Sequence, residues 1–462
     1  MSIPQKGGKK IESFEQLVSF FEAGCKPKSQ WLIGTEHEKF GFNRITHQPL
    51  PYEGECSIKS LLEGLRNSFN WQPIFEGENL IGLAKNGANI SLEPGGQIEL
   101  SGAPLHTLHE TEVELNQHIR EIAQIGHSIQ AEFLAIGAAP EWTHEQMPIL
   151  PKARYKLMTE YMKKVGRFGV NMMYRTSTVQ VNLDYSSETD MVQKFRVALA
   201  LQPVATALFA NSPYFEGKQT GYMSNRSRFW QDLDSSRTGM LPFVFDEGFG
   251  FELWTNYALD VPMYFVIQNG DFLDARGLSF RSFMQGKLPI LPNQLPMDSD
   301  WANHLTTIFP EVRIKKFMEM RGADMGSYNH VLALSAFWVG LIYDQTALDA
   351  AWDLVKGFDE ETRENLRIQA SKHGLKGAHN DIRILDLARE ALKISEAGLN
   401  SRRQAAKGIN HIDETQYLSP LKEALQNGLS QAEVLTKMGE EKWKGNLSSI
   451  YDYCRIGTDV DT

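Results

Sequence analysis

The chain has 462 residues, with 47 Lys and Arg against 57 Asp and Glu, a formal net charge of −10 at pH 7, and 42% apolar residues. This is globular rather than disordered composition, and the length exceeds the common domain size of about 100–150 residues, so a large core or two lobes can be built. An acidic chain is a poor partner for nucleic acid or an anionic membrane, and a polyanionic small ligand would have to be met by placed arginines or metal ions.

In chain order, Phe14, Leu17, Val18 and Phe21 recur at helical spacing behind Ser13, which predicts a helix over 13–23. Residues 31–43 read as a strand with Glu36, Glu38 and Phe40 on one side and His37 and Lys39 on the other. Asn86-Gly87 predicts a hairpin between 80–85 and 89–93, and strand material resumes at 97–100 after Pro94-Gly95-Gly96. A broad apolar face running from Leu108 to Ile129 predicts a helix over 107–130. Residues 172–184 read as a strand in which Thr176, Thr178, Gln180 and Asn182 alternate with Ser177, Val179, Val181 and Leu183. Its uniformly polar face suggests a ligand-binding floor.

Residues 224–230 read as helical, with Arg226 and Trp230 four apart on one face, and 241–245 as an apolar strand. Asn269-Gly270 marks a hairpin between 264–268 and 271–274, and 287–296 is a Pro-rich loop. Beyond about 327 the pattern turns helical, at 347–355, 360–370, 380–396 and 420–427. The longest apolar run, 331–343, is shorter than the ~20 residues that span a bilayer and reads as a buried helix. No repeat or forcing linker appears. The fold class is therefore α+β: an antiparallel sheet with surrounding helices over about 13–326, a helical region over about 327–456, and a single domain across 1–462.

Cys25, Cys56 and Cys454 form no disulfide framework or metal finger, and residues 1–10 carry lysines without an apolar stretch. These features predict a soluble cytoplasmic protein, without nucleic-acid or membrane partners. Phosphate loops, dinucleotide loops, zinc-protease motifs and nucleophile elbows are all absent.

The informative residues are acids in apolar strand contexts. Glu36 and Glu38 project from one strand face, Glu93 lies beside a Pro-Gly-Gly bend, Glu99 is flanked by Ile98 and Leu100, and Glu319 shares a face with Arg321. The ordinary alternatives are a solvent-facing strand, an intrastrand salt bridge, and a surface cation–π pair for Arg226 and Trp230. Taken together, five acids without a Cys or His cluster suit Mg²⁺ or Mn²⁺, and Mg²⁺ suits a nucleoside triphosphate.

At these residues the chain resembles the plant-type glutamate–cysteine ligases shared by plants and many proteobacteria. The matching stretches are 33–42, 93–102, 151–156, 173–184, 211–245 and 309–324, in one order across nearly the whole chain. The resemblance implies a glutamine-synthetase-like fold with a curved antiparallel sheet that binds ATP and Mg²⁺, and ligation of L-glutamate to L-cysteine through a γ-glutamyl phosphate. It further implies that Glu36, Glu38, Glu93, Glu99 and Glu319 bind metal. Arg321 meets the ATP phosphates, with Glu38 beside it in catalysis, and Arg226 and Trp230 hold the glutamate α-carboxylate. Arg154 and Arg175 are candidate second cations, and Thr176, Thr178 and Tyr264 candidate lining of the cysteine pocket. The positions matching the redox-sensitive cysteine pair of plant members are Ala275 and Ile290, so that disulfide cannot form here. A monomer or homodimer is expected. Alternatives are a ligase of the same fold with another amine acceptor, and a non-catalytic glutamate- or nucleotide-binding member.

Overall fold

A computed structural model describes residues 4–405 and 413–457. The start of the lysine-bearing 1–10 segment, the chain's last five residues and a stretch of the C-terminal third thus lie outside the described residues. The main sheet has nine strands: β1 (Ile33–Asn43), β2 (Gln72–Glu76), β3 (Asn79–Lys85), β4 (Ala88–Leu92), β5 (Ile98–Ser101), β6 (Ala131–Leu134), β7 (Thr178–Leu183), β8 (Val312–Ile314) and β9 (Met318–Asp324). Their order is β8-β9-β7-β1-β5-β4-β3-β2, with β6 added to the far half of β1, and every pairing is antiparallel. The α+β expectation is met.

Because side chains alternate along a strand, the register assigns each residue to a face. On one face lie Val179, Val181, Met318, Met320, Ile98 and Leu100, all at most 2% exposed. That face packs against helices Leu108–Ile129 and Tyr328–Ile342. Each fully buried side chain of this size contributes roughly 1.5–3 kcal/mol. The other face is polar, and pairing aligns it in rows: Glu38 opposite Glu99 and Glu99 opposite Ser91, then Glu36 between Ser101 and Gln180, then Asn182 opposite Glu319.

The turns follow their chemistry. Asn86 and Gly87 both take positive φ (51° and 88°), as a two-residue hairpin with the right twist requires. Helix Leu108–Ile129 opens on a capping box between Thr107 and Glu110. Hairpin Phe265–Gln268/Asp271–Asp274 turns at Asn269-Gly270. The C-terminal third is largely helical, and its apolar residues join the same core cluster as those of the sheet. Among the described residues no single helix is long and apolar enough to cross a membrane.

Three expectations need correction. The strand expected over 172–184 begins only at Thr178, since Gly169–Arg175 is helical. The run Met172-Met173-Tyr174 fits either period, and the Thr176 hydroxyl closes the helix by donating to the Met172 carbonyl at 2.7 Å. The apolar stretch 241–245 is a 3₁₀ turn, Pro242–Phe245, opened by Leu241 at φ 45°. The helix expected from 380 starts at Ile384, because Asn380 at φ 51° turns a small hairpin first.

Candidate active site

The polar sheet face carries two cavities side by side. The first, about 100 Å³, is lined by Glu38, Glu93, Arg154, Thr178, Arg226, Trp230 and Arg321 among others. The second, about 270 Å³, is lined by Glu36, Asn89, Ser101, Asn182, Lys26 and Asp184 among others. A larger cavity of about 460 Å³ lies between the C-terminal helices and the β6 end of the sheet. It shares no lining residue with these two and gathers none of the predicted acids, so it is not the candidate centre.

Glu38 and Glu36 reach the two cavities from the one strand, two residues apart. Glu38 accepts the Thr178 backbone N–H at 3.0 Å, and Glu36 accepts the Asn182 amide at 2.8 Å. Burial, with Glu93 and Glu99 nearby, pushes the Glu38 carboxyl well above the usual range, and Arg226 only partly opposes this. Burial likewise raises Glu36, helped by Glu99 and Glu319. Glu99 is buried between the two and accepts the Ser91 hydroxyl at 2.6 Å. Glu93 is held at the bend by Gln97, whose side chain accepts the Gly95 N–H at 2.8 Å and donates to the Thr176 carbonyl at 2.7 Å.

Glu319 is placed differently. It is fully buried, pairs with Arg313 and Lys315, and lies 3.5 Å from Arg321. Burial opposes its charge, yet the three cations hold its carboxyl well below the usual range. Sequence reading missed Arg313 and Lys315. The signal was there in the short hairpin, whose register sets Arg313 opposite Glu319.

Alternation along β9 sets Arg321 on the polar face with Glu319. A β-bulge follows, where pairing of β9 with β7 shifts between Met320 and Ala323, and the Arg321 guanidinium donates to Gln180 at 2.6 Å. Burial and the Arg313 charge lower its pKa to about 10, which leaves it cationic at neutral pH. Arg226, 4% exposed, donates to the Arg321 carbonyl at 2.6 Å and lies 5.7 Å from the Trp230 ring centre. Arg154 enters from helix Ala153–Met162, stacked near Phe265. Thr176 and Thr178 line the same cleft. Met158, Met172, Met173 and Phe309 complete its apolar wall and were not anticipated.

Two expected residues are not brought in. Arg175 turns away to Asn171, the Trp142 carbonyl and Glu216, stacked 4.1 Å over Phe215. Tyr264 is buried against Arg237, 4.0 Å from its ring, and does not line the cleft. Glu216 and Arg237 lie on separate loops, which local spacing does not reveal.

Among the described residues no three His, Cys, Asp or Glu side chains converge as a protein-only metal cage. The donor chemistry nevertheless fits Mg²⁺, which usually takes one or two carboxylates and completes its shell with water and substrate phosphates. Burial and neighbouring carboxylates raise the pKa of Glu36 and Glu38, and a bound divalent cation would relieve that repulsion.

Comparison with known proteins gives the family of the chain. The model of glutamate–cysteine ligase family 2 matches residues 32–453. Glutamate–cysteine ligase B, chloroplastic, of Oryza sativa subsp. japonica is 49% identical over 437 residues, covering 95% of this chain and 86% of that protein. The chloroplastic glutamate–cysteine ligase of Arabidopsis thaliana is 48% identical over 438 residues, covering 95% and 82%. A crystal structure of glutamate–cysteine ligase from Francisella tularensis in complex with AMP superposes with a TM-score of 0.53 at 12% identity, over 92% of this chain and 87% of that one, a likeness of fold. The relatives' chloroplastic names overturn the cytoplasmic expectation. Unpaired thiols and a lysine-bearing start do not tell one reducing compartment from another. The chain belongs to glutamate–cysteine ligase family 2.

Proposed function

We propose that this chain joins the γ-carboxylate of L-glutamate to the amine of L-cysteine using ATP and Mg²⁺ (or Mn²⁺), the first step of glutathione biosynthesis. The observation that carries the reading is the convergence of Arg226, Trp230 and Arg321 with Glu38 and Glu93 in one cleft on the polar sheet face. A guanidinium flanked by an indole is suited to hold the planar α-carboxylate of glutamate. Arg154, at the other side of the cleft, supplies a second cation for an amino-acid carboxylate.

Phosphoryl transfer to the γ-carboxylate needs charge neutralisation and in-line placement more than covalent help. Arg321 faces the region where charge develops, and Arg313 and Lys315 behind Glu319 add positive potential. Glu36, Glu38, Glu93, Glu99 and Glu319 are the residues assigned to hold the divalent cations. When bound, Mg²⁺ supplies charge neutralisation on the triphosphate. The cysteine amine then attacks the acyl phosphate carbon and inorganic phosphate leaves. The methionine-lined end, with Thr176 and Thr178, is assigned to the acceptor.

The test is product formation by purified protein. ADP and γ-glutamylcysteine should form only when ATP, Mg²⁺, glutamate and cysteine are all present, and serine, 2-aminobutyrate and alanine should release phosphate more slowly. Equal phosphate release with another amine would replace cysteine as the acceptor. Tight ATP binding without turnover would replace the enzyme by a binding protein.

A further inference from the structure

Behind the cleft lies one buried carboxylate to which the reaction assigns no role. Asp324 ends β9 and is 1% exposed. Its Oδ2 accepts the Asn211 backbone N–H at 2.9 Å and the Ser212 hydroxyl at 2.6 Å, and its Oδ1 accepts the Ser224 hydroxyl at 2.7 Å.

Two of those donors grip the helix that carries Arg226 and Trp230. Ser224 caps Asn225–Trp230, its Oγ accepting the Ser227 N–H at 3.0 Å. The Ser212 hydroxyl accepts the Arg226 N–H at 3.3 Å, and the Ser212 carbonyl accepts both the backbone and the side-chain N–H of Asn225. Both serine protons are thus committed to Asp324, which leaves both oxygens oriented to receive the first turn of the helix. Burial pushes the Asp324 carboxyl up, opposed by the Arg226 charge and these hydrogen bonds. The space is tight as well: a Cβ on Gly137 would lie 2.3 Å from the Asp324 carboxyl carbon.

We infer that Asp324 is a positioning residue for the substrate glutamate: through Ser212 and Ser224 it fixes the first turn of the Arg226 helix and gives Arg226 a buried counter-charge. This rests on the reading that Arg226 holds the glutamate carboxylate. The isosteric Asp324→Asn exchange puts an NH₂ where donors already converge, so at least one tie must break.

The experiment measures steady-state kinetics of Asp324→Asn, Arg226→Lys and the double variant, varying glutamate, cysteine and ATP separately. Expected is at least a tenfold rise in KM for glutamate in Asp324→Asn, with KM for ATP unchanged and kcat within about threefold. The double variant should raise KM for glutamate little beyond Arg226→Lys alone, because the two act through one contact. A fall in kcat with all KM values unchanged, the mark of a merely structural role, would overturn the proposal, as would an unchanged KM for glutamate in Asp324→Asn alone. An unchanged KM in Arg226→Lys would overturn the carboxylate reading and this proposal with it. Should Asp324→Asn fail to fold, Ser224→Ala keeps the carboxylate and removes one tie. A threefold or greater rise in KM for glutamate then supports the proposal, and no rise overturns it.

Discussion

Glu38 shows how a single residue trades stability for chemistry. It is buried beside Glu93 and Glu99, which Arg226 and the Thr178 N–H only partly offset, so its ionised form is uncomfortable without a bound cation. Glu38→Gln should therefore raise Tm in metal-free buffer while lowering kcat by about 10²–10³, the cost typical of losing one electrostatic stabiliser. A drop in Tm measured in EDTA would contradict the repulsion. His304 makes the opposite kind of statement. It is 4% exposed, its Nε2 lies 2.8 Å from the Ala258 carbonyl, and burial lowers its pKa to about 4. Between pH 6.5 and 4 the unfolded chain binds a proton there that the native chain does not, so stability rises with pH across this window and is lost as pH falls through it. Thermal melts should show that loss, on the order of 3 kcal/mol from this one group, and His304→Gln should flatten it. At this scale the sequence was readable for some neighbours two or four residues apart, as for Glu36 with Glu38 and Arg226 with Trp230, though not for Lys315 with Glu319. It was unreadable for Arg175 and Tyr264, whose partners Glu216 and Arg237 lie on separate loops.

At the scale of elements, the site depends on places where regular structure is interrupted. The bulge in β9 sets both Arg321 and Gly322 against Gln180 of β7, and the Pro94-Gly95-Gly96 bend sets Glu93. Gly95 sits hard against the helix Gly169–Arg175: a Cβ there would lie 2.0 Å from the Tyr174 carbonyl oxygen, a backbone atom that cannot rotate away. Gly95→Ala should consequently push the bend off that helix, lowering both Tm and kcat, with circular dichroism still reporting the native helix content. Unchanged kcat would mean that Glu93 tolerates the displacement. Patterning found the strands because their periods are local. It over-extended β7 into 172–177, since Met and Tyr serve a buried helix as well as a strand, and Gln97, which ties that helix to the bend, is distant in sequence. The bulge could not be read at all, because it is a property of the register between two strands.

For the whole molecule, the formal charge of −10 is less informative than where the charge is buried. Many charged pairs lie at the surface, where each contributes little. The sheet's polar face instead concentrates Glu36, Glu38 and Glu99 in adjoining rows, with Arg226, Arg321, Arg313 and Lys315 along one flank. If ATP binds that face as proposed, it brings further negative charge there, so nucleotide and divalent cation should bind as a unit. This gives an ordered expectation for ligand-induced stabilisation. ATP in EDTA should leave Tm nearly unchanged, Mg²⁺ alone should raise it slightly by relieving the acids, and the two together should raise it most. At a hundredfold excess over Kd the linkage is worth about 2.7 kcal/mol. For a chain of this length, with unfolding entropy of about 1 kcal/mol/K, that corresponds to roughly 3 °C. Differential scanning fluorimetry across the four conditions reads this directly. ATP stabilising equally well in EDTA would mean that the flanking arginines alone neutralise the triphosphate, and the five acids would then have no metal to hold.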